Sequence, residues 1–191
     1  MPSVAYRVWR TSRASLLNQI EMAHTAIGGT GPGRRYATQQ INHAYVLLLA
    51  AEFQGFCRAL HDECIEAILK VIPTTLSIVV ATSLHLGRQL DRGNATPASI
   101  GSDFGRFGFD VWPKLIAAEP HLQAWQKKLI EMNEWRNAIA HSNLPAQSAA
   151  GTIALRFKTV RDYRNCCGRL ARSLDAVLNA QLQELTGMSP W

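Results

Sequence analysis

Arg136, Asn137 and His141 stand within one short run, EWRNAIAHSN (134 to 143), in an otherwise apolar and alanine-rich setting. Asn137 and His141 are four residues apart, so a helix would show both on one face, and Arg136 lies one position round and can reach along the same edge. The three side chains offer different chemistry. A guanidinium holds a phosphate by two parallel hydrogen bonds, an imidazole exchanges a proton near neutral pH, and an amide fixes orientation. Together they suit phosphodiester chemistry on RNA. The local alternative is an arginine and a histidine near a helix C-terminus that satisfy its last carbonyls.

Other residues carry a chemical signal too. Glu52, inside YVLLLAAEFQGFC, needs a partner, because an unpaired carboxylate is costly to bury. Either a backbone or tyrosine hydrogen bond serves, or an arginine from another helix, with Arg136 the preferred arginine. Lys158, Arg161, Arg164, Arg169 and Arg172 fall within an arc of roughly 140° on a helix, opposite Tyr163, Cys167, Leu170, Leu174, Val177, Leu178 and Leu185. Such charges suit either a solvated face or phosphate binding; Asp162 is the only acid between Lys158 and Arg172. Cys57, His61 and Cys64 share one stripe at i, i+4, i+7 and could ligate zinc, but no fourth ligand lies nearby, so core packing is the preferred reading. GGTGPGRR (28 to 35) lacks the Lys and Ser or Thr of a phosphate-binding loop and follows a helical segment, so it reads as a connector.

These residues need a frame. Apolar positions recur at helical spacing almost throughout, and alternating strand-like runs are nearly absent, so an all-α chain is expected: an antiparallel helical bundle of four to five main helices in a single domain over 1–191. Ser12 or Ser15 is placed as the cap of a first helix through LLNQIEMAHTAI. A long helix follows from about Tyr36 to Val71, with Val46, Leu49, Phe53, Phe56, Leu60, Cys64 and Ile68 as its stripe and burial on two sides. Pro73 opens a third helix. Leu90 to Phe109, rich in Gly, Ser and Asp, reads as a long surface loop. VWPKLIAAE and HLQAWQKKLIEMNEWRNAIAH form a short and a longer helix, LPAQSAAG breaks the pattern, TIALRFK is briefly extended, and Val160 to Leu185 is a final amphipathic helix.

Twenty Lys and Arg against fourteen Asp and Glu leave a net charge of +6, which favours a polyanionic partner, nucleic acid first. The 47% hydrophobic and 18% charged composition suits a packed globule rather than a disordered tail. No run approaches the roughly 20 apolar residues of a membrane span. The start, MPSVAYRVWRTSR, has no apolar core of a secretory signal, so the cytoplasm is the expected location. Four cysteines without a CxxC pair give no disulfide framework.

RNAIAH, Arg136 to His141, matches the Rx4-6H motif of the HEPN superfamily, with a polar residue directly after the arginine. LIEMNEWRNAIAHSN at the end of one helix and YVLLLAAEFQGFCRAL in an earlier one resemble the RiboL-PSP-HEPN type found in bacterial toxin and defence systems. The resemblance implies a helical homodimer in which two copies of the motif face each other and form a metal-independent endoribonuclease needing no cofactor. Arg136 would neutralise the scissile phosphate, His141 would move a proton, Asn137 would position them, and Glu52 would lend support from behind. RNA guided by the basic last helix would be the substrate, and an antitoxin or defence-system protein a partner. Where related toxins carry a modifiable tyrosine, this chain has Asn143, which argues against control by modification there. Some members of the superfamily are non-catalytic modules that bind RNA or a partner protein, and this is the alternative.

Overall fold

The first helix starts nine residues earlier than Ser12, and twelve earlier than Ser15, would place it. Ser3 caps it, its hydroxyl accepting the Tyr6 N–H at 3.0 Å, and carboxylates from two distant helices hold the first turn. Glu63 accepts the N–H groups of Val4 and Ala5 at 2.8 and 2.5 Å, and Asp175 accepts that of Ser3 at 3.1 Å. These are the orphan donors every helix N-terminus carries, and nothing local in MPSVAYRVWR announces their partners. In the computed structural model, which describes residues 1–28, 34–142 and 154–191 and only the backbone of Arg34 and Arg35, this helix comprises α1 (Val4–Val8), a π-helical turn (Trp9–Arg13) and α2 (Ala14–Ile27). The wider turn aims both Trp9 and Arg13 at the next helix.

That helix, α3 (Arg34–Leu69), is the axis of the molecule, 36 residues or about 54 Å long. Val46, Leu49, Phe53, Phe56, Leu60 and Cys64 of the stripe are fully buried and Ile68 at its end only partly, and Tyr45, Ala50, Cys57 and His61 bury a second side. Burial on several sides leaves α3 with almost no amphipathic asymmetry. The pairs Ala5–Glu63, Arg13–Glu52 and Tyr45–Glu21 show that α1–α2 runs antiparallel to α3.

Pro73 does precede a helix, α4 (Thr74–His85). It contains no buried residue and exposes Leu76, Ile78 and Val79. Leu90 to Phe109, expected as a surface loop, is a folded layer instead. A 3₁₀ turn (Gln89–Asp91), α5 (Pro97–Phe104) and a second 3₁₀ turn (Gly105–Phe107) bury Leu90, Ala95, Ile100, Asp103, Phe104 and Phe107. Each buried large apolar side chain contributes about 1.5–3 kcal/mol, enough to fix a segment of glycine-rich composition.

α6 (Val111–Ala118), α7 (Leu122–Ala140) and α8 (Phe157–Thr186) complete the fold. Trp125 meets Arg169 and Cys166, Met132 meets Cys167, and Ala138 lines one pocket with Tyr163, so α7 and α8 are antiparallel. The last helix begins at Phe157, three residues before Val160, and TIALRFK is described only from Ala154, where the backbone is irregular. The break at LPAQSAAG and residues 29–33 of the glycine-rich connector lie outside the described residues. Among the described residues the outcome is an all-α bundle of four long helices, α1–α2, α3, α7 and α8, with α4 to α6 inserted between the second and third. Its buried residues form one continuous cluster. No helix among the described residues is long and apolar enough to cross a membrane.

Candidate functional site

Leu122, Trp125, Leu129 and Met132, at steps of three and four, are the buried edge that seats α7. Asn133 continues this edge, donating to the carbonyls of Leu129 at 2.8 Å and Ala95 at 3.1 Å. The motif lies on the last turn, where burial ends: Arg136 is half-buried, Asn137 and His141 exposed. His141 is the cap residue rather than the last helical one. Its N–H still closes a turn onto the Asn137 carbonyl at 3.0 Å, and Ser142 then enters the left-handed region at φ 54°, which ends the helix. Asn143, the position compared with the modifiable tyrosine, lies outside the described residues.

The Asn137 side-chain oxygen accepts two donors, the Arg136 guanidinium (Nη1) at 3.1 Å and the Asn94 amide at 2.8 Å. With its oxygen so used, the Asn137 amide is fixed in orientation and its NH₂ faces away from both donors. Among the described residues, Arg136 has no carboxylate partner and the His141 imidazole has no hydrogen bond. A guanidinium with no carboxylate partner and an imidazole, groups that suit a phosphate and a proton, therefore stand five residues apart on one helix end.

Asn94 belongs to the segment expected as a loop, and that segment is tightly held. Gln54 of α3 donates to the carbonyls of Leu90 and Gly93, both at 2.7 Å. The buried Asp103 carboxylate accepts the N–H groups of Gln89 and Leu90 at 2.8 and 2.7 Å. Arg88, itself buried, grips Asp91 with two hydrogen bonds of 2.9 Å and also Asp62 at 2.5 Å, while Arg58 reaches Asp91 at 3.0 Å. Beside Asn94 opens a groove of about 490 Å³ whose polar lining includes Gln89, Arg92, Thr96, Ser99 and Ser102. Composition hid Asn94, although the Thr96–Pro97–x–Ser99 pattern, a cap followed by proline at the first helical position, was a readable start signal for α5.

Glu52 finds an arginine, but Arg13 instead of Arg136. The pair stands at 2.5 Å, both side chains largely buried. The guanidinium lies over Gly55, where an added Cβ would come within 2.7 Å of Arg13 Nη1. The π-helical turn of the first helix delivers Arg13 to Glu52, whereas Arg136 lies on the last turn of α7.

The basic stripe of α8 divides in two. Arg164 donates to Glu21 at 2.6 Å, to Asn18 at 2.6 Å and to the Tyr45 hydroxyl at 3.3 Å. Tyr45 also donates to Glu21. Burial works against ionisation of Glu21, yet the hydrogen bonds from Tyr45 and Arg164 outweigh it and hold its carboxyl below the ordinary value. Arg161 approaches Glu21 at 3.7 Å but stays mostly exposed. Lys158, Arg169 and Arg172 are exposed and have no carboxylate partner among the described residues; Arg169 rests 5.6 Å over the Trp125 ring. Arg164 is therefore a structural tie, and the free charge is concentrated elsewhere on the helix.

Cys57, His61 and Cys64 are core residues. Both thiols are fully buried and pushed well up by burial. His61 packs against Phe104 and Phe107, its Nε2 lying 3.2 Å from the Asp103 carbonyl, and burial, reinforced by the Arg88 charge, lowers its pKa to about 4. No group of three or more His, Cys, Asp or Glu suited to a metal ion occurs among the described residues. Comparison with family models, curated proteins and solved structures yields no match for the chain.

Proposed function

We propose that this chain is a metal-independent endoribonuclease of the HEPN type, a toxin or defence effector of the cytoplasm that cuts RNA at a site shared between two copies of itself. The observation that supports it is the end of α7, where Asn137 holds the Arg136 guanidinium at 3.1 Å and Asn94 holds Asn137 at 2.8 Å, with the imidazole of His141 one turn on. Arg136 keeps donors for the non-bridging oxygens of the scissile phosphate. The 2'-hydroxyl attacks phosphorus, one neutral His141 imidazole taking its proton, and the P–O5' bond breaks as the protonated His141 imidazolium of the second copy gives its proton to the leaving oxygen. The products are a 2',3'-cyclic phosphate and a 5'-hydroxyl, and no water or metal enters this step.

The test is incubation of purified protein with single-stranded RNA in EDTA, followed by analysis of the product ends. Cyclic phosphate ends from the wild type, together with loss of cleavage in Arg136→Ala, support the reading. Binding without any product assigns the chain to the non-catalytic RNA-binding class instead.

A further inference from the structure

The stripe that sequence spacing presents as one basic face holds a more specific structure. Asn165, Gly168, Arg169 and Arg172 follow at i, i+3, i+4 and i+7 along α8, and they form one wall of a trough of about 440 Å³. Trp9, Ala14 and Leu17 of the first helix form the other wall. No carboxylate lines this trough among the described residues. On the far side of Arg169 and Arg172 a second trough of about 330 Å³ runs along Trp125, Ser173 and Glu119, and Glu119 forms no ion pair with either arginine. The two guanidinium groups thus crown a ridge between two half-open grooves.

The donors here are unspent. Arg164, at the rim, is committed to Glu21, Asn18 and Tyr45, whereas Arg169, Arg172, the Asn165 amide and the Trp9 indole N–H have no hydrogen-bond or carboxylate partner among the described residues. The glycine at 168 keeps the wall low in front of the indole: a Cβ there would stand 4.0 Å from Trp9 Nε1. Two cations at i and i+3 are about 5–6 Å apart at Cβ, close enough to serve one phosphate or two neighbours. Such a ridge, free of acids on its near side and open along its length, suits an extended polyanion better than an enclosed small molecule.

We propose that this ridge and its near trough hold the phosphodiester backbone of single-stranded RNA away from the cutting residues, a proposal that rests on the ribonuclease reading for its choice of polyanion. Ala138, next to the motif, lines one pocket with Tyr163, and Arg172 is nine residues further along α8 (163 to 172), about 14 Å along its axis. A strand of several nucleotides spans that distance; a dinucleotide does not.

The experiment is fluorescence-anisotropy binding of a labelled single-stranded RNA and of a labelled RNA dinucleotide, both 2'-O-methylated so that no attacking hydroxyl remains, over a salt series in EDTA. The proteins are wild type, Arg172→Gln, Arg169→Gln/Arg172→Gln and Lys158→Gln/Arg161→Gln, each checked for native helicity. The ridge double variant is expected to bind the longer RNA roughly tenfold more weakly and to lower the slope of log affinity against log salt by about 1.4, two contacts at ~0.7 each. Arg172→Gln alone is expected to give about half that slope change, Lys158→Gln/Arg161→Gln a smaller change than the ridge pair, and the dinucleotide no difference between proteins. Unchanged affinity and slope in the ridge variant, equal losses in the two double variants, or a wild type that binds no RNA would each overturn the proposal. RNA held through the ridge by a protein that never cleaves it would leave this site standing and remove the catalytic reading; cleavage with no role for the ridge would do the opposite.

Discussion

Asn137 has a side-chain oxygen shared by two donors, and that sharing determines what the motif can present. Without Asn94 the amide is free to turn, and Arg136 loses a fixed anchor. Asn94→Ala is therefore expected to lower the rate constant of RNA cleavage by roughly tenfold to a hundredfold with little change in RNA affinity, since misplacement of a positioned group acts on the transition state; equal loss in both parameters would mark a binding role instead. Gly55 gives a second residue-scale prediction. Its missing Cβ makes room for the Arg13 guanidinium, so Gly55→Ala is expected to lower unfolding stability by about 1–3 kcal/mol, read by denaturant titration, and a neutral result would show that Arg13 moves aside freely. Glu52 illustrates how far single residues are legible. An acid within an apolar run had to have a partner, and an arginine was a sound choice of partner type; its identity depended on a helix start fixed by Glu63 and Asp175, which are far away in sequence.

Among the elements, α3, α7 and α8 follow directly from their spacing, because each buries a stripe of large apolar side chains along most of its length. The segment from Leu90 to Phe109 does not. Its glycines, serines and aspartates carry turn propensity, while the forces that fold it are tertiary: Gln54, Arg58 and Asn133 bind it from α3 and α7, and Phe104 and Phe107 anchor it on His61. Asp103 is the keystone of this segment, accepting two backbone N–H groups from inside the core. Asp103→Ala is expected to cost roughly 2–4 kcal/mol through those abandoned donors and to loosen the support of Asn94. Hydrogen exchange localised to Gln89 and Leu90 is the measurement; protection equal to wild type would contradict the assignment. The basic face of α8 was legible as a stripe, but its division was not, since Glu21, Asn18 and Tyr45, which occupy Arg164, come from two other helices.

For the whole molecule, the all-helical architecture is what dense 3.6-residue periodicity requires, and the direction of four long helices follows from their connections. Stability should carry the signature of the buried imidazole. His61 is neutral in the fold, with a pKa near 4 against 6.5 for an ordinary histidine, so the unfolded chain binds the extra proton first. Stability from this group is complete above about pH 6.5 and is lost as pH falls toward 4, by an amount on the order of 3 kcal/mol. Glu21, held below its ordinary value, adds a further loss as its own protonation begins at lower pH. Urea titrations between pH 7 and 4 should show the decline, and His61→Gln should make it shallower, leaving the part that His24 and His43 add because burial lowers them too; an unchanged slope would contradict a neutral, buried His61.

The account depends most on Arg136 and His141 acting on one phosphodiester. The most direct measurement is the single-turnover rate of RNA cleavage in EDTA for wild type and His141→Ala at equal protein concentration. The account predicts cyclic phosphate formation by the wild type and a loss of at least a hundredfold without the imidazole. Equal rates in the two proteins, or no cleavage by either, would contradict it.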